Sequence, residues 1–225
     1  MKALVIETAT ERGLIAITED HEVIASTLLP TGLNQSKFLM PELQKLLAVH
    51  EISFEEIDCI ATGIGPGSYT GMRIGVSVAK AIAYARKLPL IGFSGLYAFT
   101  PEKREIAFAG LVDARIGGAY CFKGYLTSEG VLCVTSESQV IPLEELGSFL
   151  EDVDLIVSPA VKVLKNKADR LYSEDRWKWQ EVEPSARNLA RIVCDKYRIK
   201  EWTPDTRLDL LYLRKTQAET EKESR

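Results

Sequence analysis

The chain has 225 residues, with 28 Lys and Arg against 32 Asp and Glu and a formal net charge of -4. A chain of that length buries about 70 to 75% of its unfolded surface, enough for one large domain or two lobes. The acidic balance excludes a protein that binds nucleic acid alone through a broad basic field, so any such role requires a basic partner.

At the N-terminus a single lysine precedes the apolar run Ala3 to Ile6, too short for a signal-peptide core. No run approaches the roughly 18 apolar residues of a membrane helix, and a cytoplasmic protein with no membrane contact is expected. Ala3 to Ile6, Leu14 to Thr18 and Val23 to Leu29, separated by polar turns, predict a three-strand meander. A helix follows, capped by Asn34 or Ser36, with Phe38, Leu39, Leu43, Leu46 and Leu47 on one side. Ser53-Phe54-Glu55-Glu56 has the pattern of a capping box.

The strand Cys59 to Gly63 then runs into Gly63-Ile64-Gly65-Pro66-Gly67-Ser68-Tyr69-Thr70-Gly71-Met72-Arg73-Ile74-Gly75. Closely spaced glycines and a proline punctuate a strand-to-helix turn, with Thr70 as its expected N-cap. Free backbone N–H groups at such a turn can hold phosphate, but the spacing meets neither the P-loop nor the dinucleotide fingerprint, and a purely structural turn is an equal alternative. Helix Met72 to Arg86 has Lys80 as its one charge between Arg73 and Arg86 and needs cover on nearly all sides. Gly75, Ala79 and Ala83 form a small-residue stripe suited to close approach by another helix, while Ile74, Val78, Ile82 and Ala85 can face the sheet. Cover by the preceding helix of the same lobe is the alternative. Strand Leu90 to Phe93 completes the first half.

The second half repeats the order: strands at Ile106 to Val112, Ala119 to Leu126 and Val131 to Glu137, a helix Leu143 to Leu150, a strand Leu155 to Val157 and a helix Ser185 to Tyr197. Glu7-Thr8-Ala9-Thr10-Glu11-Arg12-Gly13 and Asp113-Ala114-Arg115-Ile116-Gly117-Gly118 each put a carboxylate at the end of a first strand and an arginine shortly after. Either the chain is a duplicated α/β lobe with a cleft between the copies, or two acid-bearing turns coincide. Lobes at 1–101 and 102–204 are expected, with 205–225 returning toward the first lobe and Lys215 to Arg225 as a frayed tail.

Cys59, Cys121, Cys133 and Cys194 lie far apart without a C-x-x-C pair and are expected as reduced core residues. His21 and His50, the two histidines, are expected in solvated turns. Trp177-Lys178-Trp179 suggests base stacking, but among Glu174, Asp175, Glu181 and Glu183 it is expected to pack on the second lobe.

The repeated β-β-β-α-β-α order resembles the actin, sugar-kinase and heat-shock ATPase superfold, with ribonuclease H-like lobes, each a mixed sheet with flanking helices. The glycine-rich run, with Ile6-Glu7-Thr8-Ala9-Thr10-Glu11, Leu88-Pro89-Leu90-Ile91-Gly92, Asp113-Ala114-Arg115-Ile116-Gly117 and Tyr212-Leu213-Arg214, resembles the TsaB (YeaZ) family over most of the chain, in order.

The resemblance implies a subunit that pairs with the related catalytic subunit TsaD and, through the complex, with the ATPase TsaE. Together they transfer a threonylcarbamoyl group to N6 of the adenosine beside the anticodon in tRNAs reading A-starting codons. Contact with tRNA would be indirect, and the isolated chain would form a homodimer. TsaD holds a metal with two histidines; aligned by Pro89-Leu90-Ile91-Gly92, Gly95 and Phe99 stand there, and neither side chain offers a lone pair. Val157-Ser158-Pro159-Ala160-Val161-Lys162 lacks the adenosine loop of the superfold's ATPases, and Gln35 stands where many members carry histidine. No catalytic residue, metal or cofactor is therefore expected. The expected partner interface is Phe38, Met72, Gly75, Ala79 and Ala83. The glycine-rich loop comprises Gly63, Gly65, Pro66, Gly67, Ser68, Thr70, Gly71 and Arg73. The alternative is an independent phosphotransferase with Glu7 and Asp113 as paired carboxylates on Mg²⁺, or a peptidase.

Overall fold

β1 (Lys2–Glu7), β2 (Leu14–Glu19) and β3 (Glu22–Leu28) form the antiparallel meander, and β4 (Cys59–Gly63) and β5 (Leu90–Phe93) add to β1 in parallel. The computed structural model describes residues 1–10, 12–32, 35–115, 118–173, 176–203 and 207–213. The resulting sheet has the order β3-β2-β1-β4-β5. β6 (Ile106–Asp113), β7 (Gly118–Leu126), β8 (Leu132–Pro142), β9 (Leu155–Ser158) and β10 (Trp179–Glu181) build a second sheet ordered β10-β9-β6-β7-β8. β6 again pairs antiparallel with the strand that follows it and parallel with β9. The duplication expected from the sequence is thus a repeat of sheet topology, in which the first strand of each half is central.

α1 (Gln35–Val49) connects β3 to β4, and α2 (Tyr69–Arg86) connects β4 to β5. The capping box forms: Ser53 accepts from the backbone while Glu56 accepts from the Ser53 N–H at 2.9 Å. α2 starts three residues earlier than the sequence predicts, because Ser68 rather than Thr70 is its N-cap and accepts from the Gly71 N–H. Asn34, one of the two expected caps of α1, lies outside the described residues.

The second half departs from its expected helices. The segment 143–149 forms a single 3₁₀ turn and then the short α3 (Leu146–Phe149). α4 (Val161–Ala168) and β10 are not predicted at all. Leu164 and Ala168 of α4 are buried, but three lysines within eight residues blur the apolar period. α4 is therefore the second-half counterpart of α2, and α5 (Ala186–Arg198), matched to α2 by the sequence repeat, is an additional element.

α5 lies against β1, β2, β3 and β5 of the first sheet rather than over the second. Alternation along the strands explains how. Ala3, Val5, Ala16, Ala61 and Phe93 point to one face, where they join Leu189 and Val193 of α5 and Phe108 and Phe122 of the second sheet in one cluster. Leu4, Ile6, Ile15, Ile17 and Ile60 point to the other face, under α1 and α2. Strands buried on both faces read as continuous apolar runs. An aromatic edge joins the halves where the Phe122 ring meets Tyr97 at 5.2 Å, and Phe122 also meets Phe108 within the second sheet at 5.6 Å. His21 approaches Asp195 of α5 at 3.2 Å, so it is tied to the last helix rather than solvated in a turn; His50 is exposed past the end of α1.

After α5 the chain pairs with β5 through a Leu90–Thr203 bridge, covering the edge of the first sheet. Leu208 packs over Gly92, and the Leu211 N–H donates to the Ile64 carbonyl at 2.8 Å. The expected tail from Lys215 to Arg225 lies outside the described residues. Cys59, Cys121 and Cys194 are buried and all four thiols are free, but Cys133 is exposed on β8, against expectation. Trp177 and Trp179 pack on the second-half core, with Trp179 opening β10. Among the described residues no helix is long and apolar enough to cross a membrane.

Because both sheets contribute to one cluster with α5, Leu189→Ala is expected to destabilise the whole chain by about 2–5 kcal/mol. Urea unfolding followed by tryptophan fluorescence and by circular dichroism should give one coincident transition; two separated transitions would show that the halves do not share a core.

Candidate functional site

The glycine-rich turn sits on the end of β1. The Ser68 N–H donates to the Ala9 carbonyl at 2.6 Å, and the Thr8 hydroxyl donates to the Gly71 carbonyl at 2.8 Å. A Cβ at Gly67 or Gly71 would strike the Ala9 or Thr8 carbonyl, and one at Gly75 would strike the Thr8 hydroxyl. These glycines therefore let α2 approach the β1 strand end more closely than any side chain permits. Gly65, at φ +110°, additionally needs the left-handed region, and it lies against Met72 and the Leu211 carbonyl.

Beneath the turn lies Glu7, wholly buried at the end of β1. One carboxyl oxygen accepts from the Ala9 N–H at 2.5 Å, while Oε2 has no partner among the described residues. The carboxyl occupies space left open by Gly63 and Gly95, where a Cβ at either position would collide with it. Burial pushes the Glu7 carboxyl up to about 7, against the smaller lowering effect of the Ala9 N–H.

The two halves enclose a cavity of about 770 Å³. The first half lines it with Thr10, Arg12, Thr31 and the turn from Gly67 to Thr70, and the second with Asp113, Arg115, Tyr120, Ala160 and the segment 181–184. Arg12 reaches across to form an ion pair with Glu183. Asp113 accepts from Lys167 at 2.7 and 2.9 Å and from the Arg115 N–H at 2.9 Å. The paired-carboxylate alternative is not assembled: Asp113 faces the cavity against Lys167, whereas Glu7 is sealed below the turn. Among the described residues no group of three His, Cys, Asp or Glu side chains is placed to hold a metal. Gln35 is buried and donates to the Thr10 carbonyl at 2.6 Å, so it fastens the β1–β2 turn to the start of α1.

The expected interface stripe is reversed. Gly75, Ala79 and Ala83 are buried, and they turn inward toward β1, β4 and the core of the first half, with Met72 also enclosed. The face turned outward carries the exposed Ser77, Ala81 and Ala85 beside the half-buried Ile74, Val78 and Ile82. Phe38 of α1 is also half-buried. The spacing of four is present in both stripes, so the period is right and the phase is wrong. Contact with the β1 end requires the glycine at 75, and that fixes which stripe faces in.

Against known proteins, residues 31–147 match a family model described as TsaD: tRNA N6-adenosine threonylcarbamoyltransferase. The chain is 30% identical over 171 residues to a Bacillus subtilis protein named tRNA threonylcarbamoyladenosine biosynthesis protein TsaB, covering 74% of this chain and 67% of that one. The chain belongs to the TsaB family. An Escherichia coli protein of the same name is 34% identical over 125 residues, covering 53% of each chain, so the alignments span about half to two thirds of these relatives' lengths. A solved structure described as YeaZ from Pseudomonas aeruginosa superposes with a TM-score of 0.78 at 20% identity, covering 94% of this chain and 99% of that one, which shows a common fold. The expected pair of lobes, each a mixed sheet with flanking helices, is therefore present.

Glu7 is neutral in the folded state at pH values where the unfolded chain would ionise it, so its contribution is fully present below the ordinary value near 4.5 and is lost as pH rises through about 7. Between those limits the chain is expected to lose up to about 3 kcal/mol of stability from this group. Glu7→Gln should flatten that slope in urea titrations at pH 5 and pH 8; an unchanged difference between the two pH values would exclude a neutral buried Glu7.

Proposed function

We propose that this chain is a non-catalytic subunit of tRNA threonylcarbamoyladenosine biosynthesis that dimerises with a TsaD-type transferase through the outer face of α2 and the adjoining part of α1. The outer face of α2 carries the reading. An 18-residue helix that leaves Ser77, Ala81, Ala85, Ile74, Val78 and Ile82 uncovered or half-covered, with Tyr84 79% exposed, presents an apolar strip that favours a second helix pair. Phe38 of α1, half-buried, packs on the same first-half core as Ile74, Val78 and Ile82.

The likeness of half the chain to a TsaD model supports a partner built on the same plan, in which corresponding helices of the two chains meet. Gly95 and Phe99, where the transferase is expected to carry its metal-binding histidines, supply no ligand, and the Glu7 carboxyl fills the space beside Gly95. Chemistry then belongs to the partner. The subunit acts by population shift, binding one arrangement of the transferase more tightly and favouring it by that difference in affinity. In the proposed cytoplasmic assembly, TsaE and tRNA are reached through the complex, and the same apolar strip closes a homodimer when the chain is alone.

Ala81→Arg, on the exposed stripe, should leave stability within about 0.5 kcal/mol and abolish co-purification with the transferase. Ala79→Glu should instead destabilise the chain by about 3 kcal/mol or more, because it puts a carboxylate into the core. Reconstitution with transferase, ATPase and tRNA held constant should lose threonylcarbamoylation when this chain is omitted. Undiminished modification without it would overturn the reading.

A further inference from the structure

Arg73 stands out on the exposed side of α2. Its guanidinium lies 3.9 Å over the Tyr69 ring, and its Nε donates to the Tyr212 hydroxyl at 3.3 Å. The two tyrosine rings are themselves 5.4 Å apart. Tyr212 arrives from far along the chain, on the C-terminal segment held by the Leu211–Ile64 hydrogen bond and by Leu208 against Gly92.

Two contacts, one to each tyrosine, thus hold a side chain that would otherwise sample many rotamers, and the ring pair backs them. Yet no carboxylate among the described residues pairs with it, and its two terminal nitrogens are not used by either tyrosine contact. The neighbouring outward positions, Ser77, Ala81 and Ala85, carry no charge. A fixed, aromatic-backed guanidinium with an open fork matches the two oxygens of a carboxylate, and its entropy has largely been spent before binding.

We propose that Arg73, held by Tyr69 and Tyr212, is a docking residue that receives a carboxylate from the protein partner at the edge of the α2 face. This rests on the dimerisation reading above. A partner carboxylate is favoured over an RNA phosphate because Arg73 is continuous with the apolar strip, and because a chain of net charge -4 offers RNA no supporting field. Tyr212 acts on the partner only through Arg73 and is a positioning residue.

The test is titration of the full-length chain, wild type and variant, against the purified transferase by calorimetry at low and high salt, with thermal unfolding of each variant in parallel. Arg73→Ala should weaken binding about tenfold or more and reduce its salt dependence, and Arg73→Lys should recover little of the loss, because an ammonium neither forks nor stacks equivalently. Tyr212→Phe keeps the ring and removes the acceptor, and should weaken binding by a few-fold, an effect absent when Arg73 is already alanine. Wild-type affinity in Arg73→Ala, with Ala81→Arg still blocking the complex, overturns the carboxylate site while leaving dimerisation standing. If neither variant binds differently from wild type, the dimerisation reading itself fails. Unchanged transferase affinity with weakened tRNA binding by the assembled complex would assign Arg73 to phosphate and also overturn the proposal.

Discussion

Burial of the first sheet on both faces by its own chain is the constraint from which the remaining surface follows. α5 closes one side and joins it to the second sheet, while α1 and α2 close the other. Both faces are thus occupied, and the β5 edge is paired to Thr203. The back of α2 is left outward, and its inner side is already committed. The apolar strip there is the leftover of a helix whose composition provides more hydrophobic surface than one sheet can cover.

The close seating of α2 depends on the β1 strand end. The Ala9 carbonyl accepts from the turn and the Thr8 hydroxyl donates to it, and the glycines at 67, 71 and 75 remove the Cβ atoms that would hold the helix off. Glu7 fills the volume that Gly63 and Gly95 leave beneath. The acid is here an internal packing group, one of whose oxygens has no partner among the described residues. A buried polar group of that kind costs stability, and it persists where the surrounding glycines have shaped a space for it. The second carboxylate of the repeat, Asp113, has a different fate: Lys167 from α4 neutralises it at the cavity wall. Sequence symmetry between Glu7 and Asp113 therefore does not extend to their environments.

The returning C-terminal segment links these features. It crosses the end of β5, lays Leu208 against Gly92, bonds to Ile64 within the glycine-rich turn and delivers Tyr212 to Tyr69 and Arg73. Turn, helix start and C-terminal segment are thus tied together at the rim of the α2 face.

The sequence by itself determined the order of most elements, the duplicated plan, the capping box at Ser53 and the position of the glycine-rich turn. Each depends on local period or on residues with singular backbone behaviour, which a linear chain displays directly. Only the tertiary structure decided which small-residue stripe of α2 faces inward. Two stripes with the same spacing are equivalent until Thr8 presses on Gly75, a contact between residues far apart in sequence. It also decided that α5 belongs to the first sheet, that α4 exists beneath its lysines, and that Tyr212 meets Arg73. These are consequences of which surfaces meet when the chain closes on itself, and periodicity within a segment carries no information about the segment it will touch.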